Sequence, residues 1–214
     1  MIVKIGVIDS GFDSSQAGAI VAERNFTTDD HTHDRIGHGT AVIGRILTAN
    51  VEVEICLAKV FSDRLTCPVE VCVEALEWMN DQAPQFINMS FGLQRDDDLL
   101  RSACERLIDQ DIGLVAASPA QGANVYPSAY PGVVRATGDA RCAPGEIAWL
   151  ASEQADVAGY VGDPKSGPAG ASIGCASVSA RLAGIVFENP LFEFDHHVEL
   201  LAADAEYQGV ENKQ

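Results

Sequence analysis

Two polar residues in this sequence have the types and the setting for acid–base chemistry. The first, Asp9, directly follows an apolar run at residues 3–8, and Ser10 and Gly11 after it permit a sharp turn. In parallel α/β sheets, ligands bind outside the carboxyl ends of the strands, so a carboxylate at such a place is a functional candidate. It could orient a histidine, accept a phosphoryl group or hold a metal ion. A helix cap is an equally good structural interpretation.

His38 is the second of these residues. It stands between Gly37 and Gly39 in the string RIGHGTAVIGRI, and Thr40 leads into an apolar stretch. The spacing predicts a histidine at the start of a helix, where the flanking glycines give it little steric cover. Because the unperturbed pKa of histidine lies near neutrality, an imidazole in this position suits the work of a general base.

A third candidate position lies in the string GASIGCASVSARLAG, residues 170–184. A glycine and a small residue, followed by the first position of a helix, form a place where a nucleophile is exposed and backbone amides face its oxyanion. The position that follows Gly174 and Cys175 is Ala176, which has no hydroxyl group. The neighbouring Ser177 is the alternative.

These candidates need a framework that brings distant segments together. Short apolar runs alternate with amphipathic stretches, a pattern typical of an α/β fold with a mostly parallel sheet and helices on its faces. Buried strands are predicted at residues 3–8, 53–60, 86–89, 113–117 and 133–137. Helical spacing of apolar residues predicts crossover helices over 69–79 and 99–108, a buried helix after Pro168 and a last amphipathic helix in NPLFEFDHHVELLAADAEY.

Length and composition predict one domain over residues 1–214, with a frayed tail at roughly 208–214. A chain of 214 residues with 47% apolar side chains can bury a single large core. The formal charge is 14 minus 31, or −17, and it is spread along the chain. Because phosphate binding needs a concentrated basic face, we expect no nucleic-acid partner.

The amino-terminal string MIVKIGVID has an apolar run too short for a signal sequence and leads directly into the first strand. We therefore expect neither a targeting segment nor a transmembrane segment, and no membrane partner. The six cysteines show no CxxC spacing, and without an export signal they are interpreted as reduced thiols in the cytoplasm. Cys67, Cys72 and Cys104 are interpreted as packing residues.

Taken together, Asp9, His38 and the helix start at 176 resemble the subtilisin-like serine proteases, whose triad runs Asp, His, Ser in that chain order. The string VIDSGFD is similar to the aspartate motif of that family, and GHGTAVIGRI to its histidine motif. YPSAYPGVVRATG and the terminal helix also resemble family segments. The resemblance implies a three-layer α/β/α fold. It also implies that INMSFG holds a strand edge that pairs with substrate, formed by Ser90, Phe91 and Gly92.

In the register that matches Gly174, Ser179 and the pair Ala183–Gly184 to the family's serine motif, Ala176 stands at the nucleophile. Ser177 would break this register. A triad without its nucleophile retains only residual catalysis, so the resemblance implies a nearly inert chain. Replacement of serine to trap an inactive enzyme is favoured over a natural pseudoenzyme, because the motifs of Asp9 and His38 are intact.

The segment LVAASPAQGANVYP differs from the family at the oxyanion asparagine. Pro119, Ala120 or Gln121 falls at that place, depending on the gap, and Gln121 carries an equivalent amide on a longer stem. The alternative for Gln121 is an ordinary loop residue.

The expected function is a serine endopeptidase that processes a specific peptide or precursor, with leader removal in peptide maturation as the specific hypothesis. The chain begins at the first strand without a segment that resembles the family's propeptide, which favours a trimmed intracellular member. The expected partner is therefore a peptide or precursor protein. No cofactor is expected, because no calcium-ligand loop is recognisable.

Three alternatives remain at this point. A non-catalytic module could bind an extended peptide by strand addition. Asp9 could accept a phosphoryl group with Asp13 holding magnesium. A metal-dependent hydrolase could use the cluster near His38, whose members have the ligand types for zinc: Asp29, Asp30, His31, His33 and Asp34. His196 and His197 in the last helix are expected to be solvated.

Overall fold

A mostly parallel sheet runs through the part of the chain that the structure describes, residues 1–165 and 167–211 of a computed structural model. Over these residues the sheet has nine strands in the order β2-β3-β1-β4-β5-β6-β8-β7-β9, and β7 runs antiparallel to β8. The strands are β1 (Val3–Asp9), β2 (Ile20–Asn25), β3 (Val53–Lys59), β4 (Phe86–Met89), β5 (Gly113–Ala117), β6 (Val133–Asp139), β7 (Ile147–Trp149), β8 (Val157–Tyr160) and β9 (Tyr207–Gln208).

Helices cover both faces of this sheet and complete the three-layer α/β/α fold. One apolar core joins the sheet to α1, α4 and α5, and a second core joins it to α2 and α3. A 3₁₀ helix (Ser14–Ala19) follows β1. The α-helices are α1 (His38–Ile46), α2 (Val69–Gln82), α3 (Asp98–Ile108), α4 (Ala171–Glu188) and α5 (Phe194–Ala203).

All five predicted strands are confirmed, while β2, β7, β8 and β9 were missed. The central strands are buried on both faces and are therefore recognisable as continuous apolar runs. In contrast, β2 pairs only with β3 and carries Glu23 and Arg24 on exposed positions. Strands as short as β7 and β9 contain too few residues for an alternation of apolar and polar side chains to be recognised.

α4 is the central helix of the first layer. Among the described residues it is the one helix long and apolar enough to cross a membrane by length and composition, and 61% of it is buried inside the protein. Such burial is typical of a core helix. Small residues allow this close packing: a Cβ atom on Gly174 would overlap the backbone at Thr137 and Gly138 of β6.

Two predictions about the carboxyl-terminal segment, its frayed tail and the solvation of His197, differ from the structure. Gln208 belongs to β9, which pairs with β7, and the amide of Gly209 donates to the carbonyl of Trp149 at 2.8 Å, so the predicted frayed tail is wrong for these residues. Residues 212–214 of that tail lie outside the described part. His197 is buried, and its Nε2 lies 2.8 Å from the carbonyl oxygen of Asn189, whereas His196 is solvated as expected.

We expect Gly174→Ala to destabilise the protein by about 1–3 kcal/mol, because the added methyl group would push α4 away from β6. Gly184→Ala is the matched control in the same helix, since its Cβ would enter open space. It should be neutral or stabilising by up to about 1 kcal/mol. Urea unfolding of both variants measures the difference, and equal midpoints would contradict the packing argument.

Candidate active site

The carboxylate of Asp9 and the imidazole of His38 meet at the carboxyl edge of the sheet. Asp9 ends β1 and is fully buried, and its Oδ1 lies 2.8 Å from Nδ1 of His38, the first residue of α1. The same oxygen accepts from the amide of Ser10 at 2.7 Å and from its hydroxyl at 3.2 Å. The predicted pairing of these two residues is present in the structure.

Burial of His38 disfavours its charged form, but the hydrogen bond to Asp9 and the negative charge of that carboxylate outweigh burial. The net effect is a raised pKa for His38. An Nδ1–H bond to the carboxylate leaves Nε2 as the atom that can take up a proton. The pair therefore has the geometry and the electrostatics of a general base held in one tautomer.

A second carboxylate, Asp34, fixes the start of α1. Its Oδ2 accepts from the amide of Thr40 at 2.8 Å and from the hydroxyl of that residue at 2.7 Å. Its Oδ1 accepts from the amides of Ile36 and Gly37 and from the hydroxyl of Ser10. Burial disfavours the charged form of Asp34, but these bonds outweigh it and lower its pKa. Asp34 therefore orients the backbone that carries His38.

Lys59 is a fully buried cation that sequence reasoning missed. It ends β3, where it pairs with Asp9 of β1 in the strand register. Its Nζ lies 2.9 Å from Oδ2 of Asp29 and donates to the carbonyl of His33 at 2.7 Å. Hydrogen bonds from Lys59 and Ser62 lower the pKa of Asp29 to about 2. The lysine thus secures the segment that precedes Asp34. Its sequence signal was a lysine at the end of an apolar strand.

The start of α4 lies beside the carboxyl end of β4. Gly170 precedes the helix with a φ of 116°, which favours glycine, and Ser172 is the second helical residue. The Ser172 hydroxyl donates to the carbonyl of Ser90 at 3.3 Å. Because Ile8 of β1 pairs with Met89 of β4, the residues that come next, Asp9 at the end of β1 and Ser90 directly after β4, lie side by side.

The amides at the start of α4 are available to a negative charge. The amide of Gly174 makes the first intrahelical bond, to the carbonyl of Gly170 at 3.0 Å. The amides of residues 171–173 come before that bond and have no acceptor within the helix. Together with the helix dipole they form a place where an oxyanion is stabilised.

The interpretation of position 176 as a helix start is wrong. α4 begins five residues earlier, and Ala176 is fully buried in the apolar core. Ser177 is buried as well, and its hydroxyl lies 2.9 Å from the carbonyls of Tyr160 and Ile173. Neither side chain can meet a substrate. The reason for expecting an inactive chain, an alanine at the helix start, is therefore removed.

The string GASIGCASVSARLAG contains two glycines, Gly170 and Gly174, that could precede the start of the helix. The prediction from the sequence chose Gly174, which is wrong. Gly174 is required for the contact between α4 and β6, while Gly170 is required for the positive φ before the helix. The string Gly170, Ala171, Ser172 contains the expected glycine, small residue and serine. A resemblance of short strings cannot separate a packing glycine from a turn glycine.

A polar connection ties the start of α4 to β4. The side-chain amide of Asn88 donates to the hydroxyl of Ser179 at 3.0 Å and to the sulfur of Cys175 at 3.2 Å. The hydroxyl of Ser90 donates in turn to Oδ1 of Asn88 at 2.8 Å. Since residues 172, 175 and 179 share one helix face, this connection also orients Ser172 towards β4.

The segment predicted to pair with substrate, residues 90–92, directly follows β4. Ser90 and Phe91 are buried, Gly92 is exposed, and the ring of Phe91 meets that of Phe61 edge to face at 6.2 Å. A Cβ on Gly92 would lie 2.7 Å from Cγ2 of Val125, so this backbone packs closely on its neighbour. Peptide pairing at this edge stays a prediction.

Gln121 lies in the irregular segment after β5, and its side chain is exposed. Asn124, a second exposed amide in this segment, was not considered from the sequence. The oxyanion role of Gln121 stays a prediction.

The metal-centre alternative is not supported. Within residues 1–165 and 167–211, no three histidine, cysteine or carboxylate side chains are arranged to hold a metal ion. Asp29 is paired with Lys59, Asp34 caps α1, and His31 and His33 are exposed. Asp13 caps the 3₁₀ helix rather than joining Asp9.

Two solved structures with the same fold are named as a protease and a peptidase. The psychrophilic protease S41 superimposes with a TM-score of 0.70 at 20% identity, covering 96% of this chain and 85% of that chain. The nisin leader peptidase NisP from Lactococcus lactis superimposes with a TM-score of 0.69 at 17% identity, covering 92% and 81%. At such identities the likeness establishes the subtilisin-like fold.

The family follows from the sequence match. Residues 2–160 match the subtilase family of peptidases, and this chain belongs to that family. The minor extracellular protease Epr of Bacillus subtilis is 30% identical over 148 residues, which are 62% of this chain and 22% of Epr. Subtilisin DY of Bacillus licheniformis is 26% identical over 149 residues, 62% of this chain and 54% of that protein. The chain thus spans about half or less of these relatives. The family match ends before α4.

We expect the imidazole of His38 to titrate above the ordinary value of 6.5, because Asp9 stabilises its charged form. Asp9→Asn removes that charge and leaves burial, which outweighs the smaller opposing effect of the Asp34 charge, so the midpoint should fall below 6.5. Nuclear magnetic resonance of the histidine ring protons across a pH series measures both midpoints, with His38→Gln to assign the signal and the exposed His196 as reference. An unchanged midpoint in Asp9→Asn would contradict this assignment of cause.

Proposed function

We propose that this chain is a serine endopeptidase in which Ser172 is the nucleophile, His38 the general base and Asp9 the residue that orients the base. The observation that carries the proposal is the place of Ser172, at the start of α4 and in contact with the carbonyl of Ser90 beside the end of β1. Membership in the subtilase family supports the class of chemistry.

In this proposal each group has one task. His38 takes the proton of the Ser172 hydroxyl on Nε2, because Nδ1 is held by the carboxylate of Asp9. The hydroxyl oxygen attacks the peptide carbonyl and forms a tetrahedral intermediate. The imidazolium gives its proton to the leaving amine as the C–N bond breaks, which leaves an acyl-enzyme. Water, deprotonated by His38, then hydrolyses the acyl-enzyme and frees Ser172. The raised pKa of His38 matches a base that must hold this proton for part of the cycle.

In this proposal the start of α4 stabilises the oxyanion. The amide of Ser172 and its neighbours point out of the helix, where the dipole favours negative charge. The side-chain amide of Gln121 is the proposed second donor. Its exposure and its place in the segment after β5 allow it to approach a bound substrate.

We further propose that the substrate is one particular peptide or precursor, as in the removal of a leader from a maturing peptide. The edge at residues 90–92 can take up an extended peptide by strand addition, since it follows β4 directly beside Ser172. The formal charge of −17 favours neutral or basic peptides over acidic ones. NisP, a leader peptidase, shares the fold and is compatible with this substrate class.

We expect a fluorophosphonate to add one phosphonyl group to the protein at Ser172, because the activated hydroxyl attacks phosphorus as it would a carbonyl. Intact mass and peptide mapping measure the adduct. Ser172→Ala and His38→Ala should abolish it, while Ser177→Ala should retain it if the variant folds. An adduct at another serine would contradict the nucleophile assignment.

The same reagent tests the second oxyanion donor. Gln121→Ala should slow labelling by about 10²–10³-fold, and Asn124→Ala, an exposed amide in the same segment, is the matched control. Absence of labelling in a folded protein that still binds peptide would favour the non-catalytic binding module.

We expect the protein to cut a leader-bearing precursor at one site and to leave an unfolded protein such as reduced casein largely intact. The physical reason is that a specific peptide must pair with the edge at residues 90–92 before its carbonyl reaches Ser172. Mass spectrometry of the products measures both reactions, with Ser172→Ala as the control for contaminating proteases. Extensive digestion of casein would contradict the narrow substrate class and would leave the nucleophile assignment intact.

A further inference from the structure

Two cysteine sulfurs are in contact at the start of α2. The Sγ atoms of Cys67 and Cys72 lie 3.3 Å apart. α2 begins at Val69 after the cap residue Pro68, so Cys67 directly precedes the cap and Cys72 is the fourth helical residue. These are the two positions whose side chains pack together in a hydrophobic staple. The contact therefore follows from the local geometry of the helix start.

The two thiols differ in environment. Cys67 is half-buried in the segment that leads into the helix, whereas Cys72 is fully buried. The hydrogen bond between the two thiols lowers the pKa of Cys67 and raises that of Cys72, and burial raises the pKa of Cys72 further. A cysteine at a helix start is also favoured as a thiolate by the unpaired amides. Cys67 is therefore the thiol that a reagent meets first.

The remaining cysteines are in less reactive surroundings. Burial raises the pKa of Cys104 and that of Cys142 to about 12. Cys56 and Cys175 are buried with raised pKa values for the same reason. The contact at the start of α2 thus combines an accessible thiol with a second sulfur in place to react with it.

We propose that Cys67 and Cys72 form a modification site that small-molecule disulfides of the glutathione type convert into an intrachain disulfide. The thiolate of Cys67 attacks one sulfur of the oxidant, forming a mixed disulfide and releasing one glutathione thiolate. Cys72 gives up its proton and attacks the sulfur of Cys67, which releases the second glutathione. Two cysteine thiols lose two electrons and two protons, and the oxidant is reduced to two thiols.

The product is compatible with the fold. The sulfurs need to approach by about 1.2 Å to reach a bond length of about 2.05 Å. The bond would tie residues 60–67, which connect β3 to α2, to the body of the helix. Phe61 in that connection packs on Phe91 of the proposed substrate edge, so the segment that the bond would tie down contacts that edge at its other end.

The test uses the whole protein under native conditions with oxidised glutathione. Remaining thiols are alkylated in denaturant, and the tryptic peptide 65–95 is weighed, since Cys67 and Cys72 are its only cysteines. We expect this peptide to lose two hydrogen atoms and to carry no alkyl groups. A peptide that remains fully alkylated, or one linked to Cys104, would overturn the proposal.

Two variants resolve the order of the steps. Cys72→Ala should retain glutathione on Cys67, because nothing expels it, and Cys67→Ser should lose both the link and the adduct. Cys142→Ala, a buried cysteine far along the chain, is the matched control and should form the link as fully as the unchanged protein. A Cys72→Ala protein without adduct would count against the proposal, and circular dichroism confirms that each variant is folded.

Discussion

A buried carboxylate at the end of a central strand is the constraint on which the rest of this site depends. Asp9 is removed from water, and a charged group in that position is costly unless donors surround it. Ser10 and His38 supply donors to its Oδ1, while its Oδ2 is buried without a hydrogen-bond partner among the described residues. α1 must therefore begin close to β1, and Gly39 allows this, since a Cβ at that position would overlap the carbonyl of Gly11.

The need of buried carboxylates for hydrogen-bond donors also organises the polar segment before α1. Ser10 donates to Asp34 and accepts from the amide of Gly39, so one hydroxyl links both carboxylates to the helix start. Lys59 adds a buried positive charge, which is matched by Asp29. The cluster near His38 resembles a metal site in the sequence, but in the structure Asp29 and Asp34 already have their own donors.

The packing of α4 on the sheet depends on small residues. Gly174 lets the helix approach β6, and the serine, alanine and cysteine side chains that follow fill the narrow space against the sheet. Asn88 compensates the buried polar atoms of this interface. These contacts fix the distance between α4 and the sheet, and this distance determines where the first turn of α4 meets the end of β4.

The sequence by itself determined the parallel sheet and its five central strands, because continuous apolar runs are local signals. The pairing of Asp9 with His38 was predicted through the resemblance of their two motifs to those of one protease family. Only the tertiary structure decided where α4 begins, and the proposal of Ser172 in place of Ala176 rests on that helix start. The strings around the two glycines look alike, and the difference lies in what surrounds each one. Gly174 packs against β6, while Gly170 has a positive φ in open space. The burial of Lys59 was also a tertiary property, since its partner Asp29 comes from a segment distant in sequence.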